Sequence, residues 1–177
     1  CKLVLTPDYA ALINLVGTLH FTRAITSAGI GFGMLLIAFN NVTDYGTNLA
    51  FVQHVLAMDS IDIPGISTKW RGITHATLHH LAYALIITAE ATTGTLCFVG
   101  GWKQATALGL LSSDPVPHMN GVDLSMAGLS VGFALFFIGF VVVGSEWFYM
   151  WSSYTWNGVY KAFHWSTLFL LAMLVLR

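Results

Sequence analysis

The chain has 177 residues, 56% of them hydrophobic and only 8% charged, with a mean hydropathy of +0.72 and a net charge of −1. A soluble domain carries about a quarter charged residues, so this chain cannot cover a water-facing surface and reads as membrane-embedded. The lack of a Lys/Arg run excludes the phosphate neutralisation that nucleic-acid binding requires, and Cys1 and Cys97 give no disulfide framework.

Hydropathy predicts four spans, at about 23–40, 78–102, 123–146 and 159–176, each near the ~20 residues that cross the hydrocarbon layer. Lipid offers no partner for exposed backbone amides, so the spans must be helices. The expected fold is all-α: one four-helix transmembrane domain over 1–177, with a short amphipathic N-terminal segment and one long interfacial loop. Ahead of Arg23 the apolar stretch is too long for one crossing, and either lies in the interface or extends the first helix beyond the membrane. In the first span, Gly29 and Gly33 have the spacing that lets two helices approach closely.

Residues 40–71 form the long polar connection. Asn40, Asn41, Asp44 and Gly46 are turn formers, Leu49–Met58 suits an interfacial amphipathic helix, and Pro64-Gly65 signals a turn. Around the second span, His79, Tyr83, Ile86, Glu90, Gly94, Cys97 and Gly101 share one helical face. Glu90 falls about halfway along it. A carboxyl group there is expensive in lipid, so this face must meet protein or a cavity, and a protonated Glu90 is expected to hydrogen-bond across the bundle to Ser27, a threonine or backbone.

The loop 103–121 contains Pro115, Pro117 and His118 and reads as irregular. The third span carries a stripe of Gly121, Ser125, Gly128, Gly132, Phe136, Gly139, Val143 and Glu146, which predicts close helix packing at Gly128, Gly132 and Gly139 against Gly94 of the second span. Glu146 is expected, like Glu90 and Tyr83, as a buried polar residue, here at the membrane boundary and within reach of Lys161 or Lys69. Trp147, Trp151, Trp156, Trp165 and Arg71 form the expected lipid interface. Both termini fall on one side, and four basic residues against three favour the cytoplasmic or matrix side for them.

Four blocks together resemble a known family: AFNNVTDYGTNLAFVQHVLAMD, Trp70-Arg71, His80-Leu-Ala-Tyr83 with Glu90, and VVGSEWFYMWSSYTWNG. They look like a proteobacterial family of predicted small integral membrane proteins, classed as a domain of unknown function. The resemblance spans roughly Thr22 to the C-terminus. It implies four membrane helices and no catalytic residues, and a bacterial or mitochondrial inner membrane would suit it. A basic residue is more usual in the family where this chain has His164.

Three functions compete at this stage. The first is a non-catalytic accessory subunit of a larger membrane complex, respiratory or otherwise energy-converting, in contact with lipid and with other subunits. The second is an oxidoreductase anchor in which His79, His80 and His164 hold haem b or a quinone, since two helices presenting histidines at one depth can ligate haem. The third is a small proton-coupled transporter using Glu90. No metal motif of the HExxH or CxxC kind is present, and no nucleophile–base pair can be read.

Overall fold

The computed structural model describes residues 7–108 and 118–177, with side chains from residue 15 and from residue 120 in the two segments. Cys1, Pro115 and Pro117 lie outside the described residues, as does the side chain of His118. The described chain is helical: α1 (Pro7–Thr43), α2 (Tyr45–Ala57), α3 (Ala76–Ala107), α4 (His118–Phe133, continuing through Ala134–Trp147) and α5 (Val159–Leu176). Among the described residues, four segments are long and apolar enough to cross a membrane: Leu15–Thr43, Ala76–Ala107, Asn120–Trp147 and Val159–Leu176. The described stretch ahead of Arg23 is the first part of α1 and runs on into the first apolar segment without a break.

α3 is the middle helix of the bundle, antiparallel to α1 on one side and to α4 on the other. Its glycines allow this. A Cβ on Gly101 would lie 2.5 Å from the backbone N of Ala28, and one on Gly94 would lie 2.8 Å from the backbone N of Leu35. Those two glycines therefore face α1, whose own close approach is made by Gly31 against the backbone of Phe98. Gly29, singled out by its spacing with Gly33, has nothing within 4 Å. The α4 stripe instead meets a face of α3 turned slightly from the expected one. Gly128 abuts Cys97 and Leu96, Gly132 abuts Thr93 and Phe169, and Gly121 abuts Gly100 and Gln104. Packing of this closeness, through dispersion contacts between backbones, is what holds helices together where lipid removes the hydrophobic drive.

The stripe fails beyond Phe136, and the reason is geometric. From Ala134 to Trp147 the helix winds as a π-helix, its hydrogen bonds reaching back five residues, as in the bond from Phe148 N–H to Val143 O at 3.2 Å. Each turn then holds more than four residues. The inward positions become Phe136, Phe140 and the pair Gly144–Ser145, and the face expected at 3.6 residues per turn rotates outward. Gly139 is exposed, with only Leu135 of its own helix near it, so it is not a packing glycine. Glu146 is exposed too, and is not the buried acid that its place in the stripe suggested.

α5 closes the bundle through Ala162, Ser166, Phe169, Ala172 and Leu176, which are buried at intervals of three and four. Its end meets the lower part of α1, where Arg23 Nε donates to Val175 O at 3.0 Å. At the opposite end α2 folds back over α3 with Leu49 and Val52 against Tyr83, and the intervening chain returns through a turn at Gly65, whose φ of 72° suits glycine.

Candidate functional site

Two buried polar groups, Glu90 and Tyr83, meet the half-buried Asn41 where α1 ends and α5 begins. Glu90, 14 residues into α3 or about 21 Å from its start, is only 3% exposed. Asn41, in the last turn of α1, donates from Nδ2 to Glu90 Oε2 at 2.6 Å. Tyr83, almost two turns before Glu90 on the same face, donates its hydroxyl to Asn41 O at 2.8 Å. That bond uses a carbonyl left without a helical partner near the end of α1, so the phenol caps one helix while its ring packs under α2. The acid thus faces protein, as its cost in lipid demanded, but its donor is Asn41. Ser27 lies elsewhere, in a second polar knot: Gln104 Nε2 donates to Ser27 Oγ (3.2 Å), Ser125 Oγ (3.0 Å) and Gly121 O (3.3 Å), joining α1, α3 and α4.

Glu90 looks into a cleft of about 720 Å³. Asn41, Tyr83 and Glu90 form its polar floor, and Phe136, Phe140 and Trp165 its aromatic wall. Asn48, Phe51 and Val52 of α2, with Thr155, Trp156 and Asn157 of the loop before α5, make the roof. Lys161, exposed at the rim, lines it as well and makes no hydrogen bond or ion pair among the described residues. The roof is tied across: His54 stacks on Trp156 with centroids 4.4 Å apart and accepts orientation from Asp59, 2.9 Å from its Nδ1. A second, apolar groove of about 390 Å³ adjoins this cleft. Phe51, Val52, Ile86 and Phe140 line both spaces, and the exposed Gly139 leaves the groove open on the π-wound segment.

The three histidines expected to gather are placed apart. His79 is buried and donates from Nε2 to Ile73 O at 2.6 Å, which pins the loop before α3. His80 is exposed, stacked on Tyr45 with its Nδ1 2.8 Å from the Tyr45 hydroxyl. His164 lies on the outer face of α5, where its Nδ1 donates to Tyr160 O of the preceding turn at 2.7 Å, and the space beside it is lined by α5 alone. His79 and His164 therefore do not face one another across the bundle. Among the described residues no three His, Cys, Asp or Glu side chains gather as a metal would require.

The aromatic residues divide. Trp147 and Trp151 are about half exposed. The Arg71 guanidinium sits 4.7 Å from the Trp147 ring centre and 5.8 Å from those of Trp70 and Tyr149, within cation–π range. Trp156 belongs to the cleft roof. Trp165, expected at the lipid interface, packs inward on Phe136 and Phe169, so it is a wall of the cleft. Glu146 accepts from Ser145 Oγ at 3.1 Å and has no lysine partner among the described residues. Gln104 is the residue sequence reasoning passed over, while Asn41 reads there as a turn former and Lys161 as a partner for Glu146. Asn41 carried a signal, as a polar residue in the last turn of an apolar helix.

Residues 19–177 match the family described as "Predicted small integral membrane protein (DUF2165)". The chain belongs to this family. The match takes in the cleft, the polar knot and almost all of the four apolar helices, so the site lies within the family's own extent rather than in an added segment. Neither a curated protein nor a solved structure matches the chain. What the family description conveys is an integral membrane protein of small size, without an activity.

Proposed function

We propose that the protein is a non-catalytic integral membrane subunit that holds an amphiphilic membrane lipid in the Glu90 cleft. The cleft itself supports this reading. Its volume is in the range of small-molecule sites, its walls are aromatic, and a few convergent polar groups occupy one end, which is the pattern of a binding site rather than of a packing defect. Asn41, Glu90 and Tyr83 are bonded to one another, which fixes the floor of the cleft and suits holding a ligand more than transforming one. Membership of a larger assembly, in a bacterial or mitochondrial inner membrane, is favoured by the protein's small size and by how little of the described chain lies outside the helices.

The test is lipid-dependent stability. Protein extracted in mild detergent and stripped of lipid should melt at a higher temperature when phospholipid is returned, and brominated phospholipid should quench fluorescence from Trp156 and Trp165. A melting curve indifferent to lipid, with those tryptophans unquenched, would reject lipid binding at the cleft. Elution of gently solubilised native protein free of any other polypeptide would reject the assembly role.

A further inference from the structure

The cleft carries one acid and one base, on different helices and unpaired with each other. Glu90 on α3 is nearly fully buried, and only its Oε2 is bonded; Oε1 has no partner among the described residues. Lys161 on α5 stands at the exposed rim. Among the described residues the ion pair found is His54–Asp59, so Glu90 and Lys161 do not neutralise each other. A buried carboxylate without a cation is costly, and a ligand that brings a cation to it relieves that cost. The complementary shape is a zwitterion, cationic at its tip and anionic one step back. The adjoining groove is apolar along its length, with Leu135, Val143 and Leu85 among its lining, and suits a hydrocarbon chain.

We infer that the occupant is a phospholipid with a primary-amine headgroup, its ammonium on Glu90, its phosphate toward Lys161, and one acyl chain laid past Phe140 into the groove beside Gly139. An ammonium with N–H groups is specified because Oε1 is a hydrogen-bond acceptor as well as a charge. A charge-assisted hydrogen bond is stronger than either contribution alone. A quaternary head brings the charge and no donor. A purely anionic head brings a second negative group to an acid. This inference rests on the reading of the cleft as a lipid site and adds the headgroup class to it.

The experiment uses the full chain in mixed micelles containing equal amounts of dioleoyl phosphatidylethanolamine, phosphatidylcholine and phosphatidylglycerol, with native mass spectrometry of the lipid retained. The wild type should retain the ethanolamine lipid preferentially. Glu90→Gln, which still can bond to Asn41, should lower that preference by about tenfold, the loss of one charge-assisted hydrogen bond. Lys161→Gln, at an exposed rim position, supplies a variant that does not threaten the fold and should reduce retention of all three lipids, since each carries the phosphate that Lys161 meets. Gly139→Phe should reduce retention of all three lipids, because its ring would occupy the groove. Retention unchanged in Lys161→Gln would overturn the phosphate placement. Equal retention of the three lipids by wild type, or a preference unchanged in Glu90→Gln, would overturn the headgroup assignment and leave the cleft as a lipid site. Retention of no lipid would overturn both.

Discussion

Asn41 and Glu90 face each other across the α1–α3 seam, 2.6 Å apart, at the level where one helix ends and its neighbour is halfway along. This contact makes a buried acid tolerable and defines the floor of the cleft. Removing the donor should therefore be costly. Asn41→Ala is expected to destabilise the protein by about 1–3 kcal/mol, the penalty for a buried polar group left without its partner. Thermal unfolding in detergent measures this, and a double-mutant cycle with Glu90→Leu should recover part of the loss, since replacing both partners leaves no orphaned group. Strictly additive losses would refute the pairing.

The glycines give contrasting expectations. Gly100→Ala would drive its Cβ into Gly121 O and the Ser125 side chain, and Gly128→Ala would press on Cys97 Sγ at 2.7 Å. Each should cost about 1–3 kcal/mol, as overpacking does. Gly29→Ala and Gly139→Ala have open space and should be near neutral or slightly stabilising. Parallel melting curves decide it, and an equal response from all four would contradict the packing described.

Gln104→Leu should cost less than its burial suggests, about 1 kcal/mol, in line with hydrogen bonds between membrane helices. Ser125 Oγ keeps its own acceptor, Gly121 O at 3.0 Å, so only Ser27 loses its partner outright. Unfolding measured in the same detergent would show this, and outright failure to fold would mean the knot carries far more than hydrogen bonding in lipid usually does.

His79→Ala and His164→Ala should separate. The first removes the bond to Ile73 O and should loosen the loop before α3, raising proteolysis between 58 and 75. The second removes an outward ring and should leave both proteolysis and the visible absorption spectrum unchanged. A change in visible absorption in both variants would bring back a haem held by the pair.

Much of this was legible in the sequence because burial in lipid is severe enough to leave a pattern. The buried positions His79, Tyr83, Glu90, Gly94, Cys97 and Gly101 of α3 are the face read from a 100° step, and the stripe on α4 holds from Gly121 to Phe136. It failed at Gly139 and Glu146 because the helix changes its winding there, and no residue in ALFFIGFVVVGSEW announces a hydrogen bond to the fifth residue back. Glu90's partner was missed because Asn40-Asn41 reads as a turn, while the helix keeps going to Thr43 and delivers the amide inward. The cleft depends on the relative lengths of α1, α2 and α5, a property of tertiary packing that periodicity along single helices does not carry. Gln104 lay just past the expected end of its span.

The most direct test of the account is chemical proximity at the acid. In a background without Cys1 and Cys97, the pair Asn41→Cys/Glu90→Cys should be joined by a short bifunctional methanethiosulfonate in liposomes. The control pair Asn41→Cys/Leu85→Cys, with the second thiol on the exposed outer side of α3, should not. Mass spectrometry of the linked peptides reads the result. Linkage of 41 to 90 alone is what the account predicts, and linkage of 41 to 85 with 90 unlinked would contradict it.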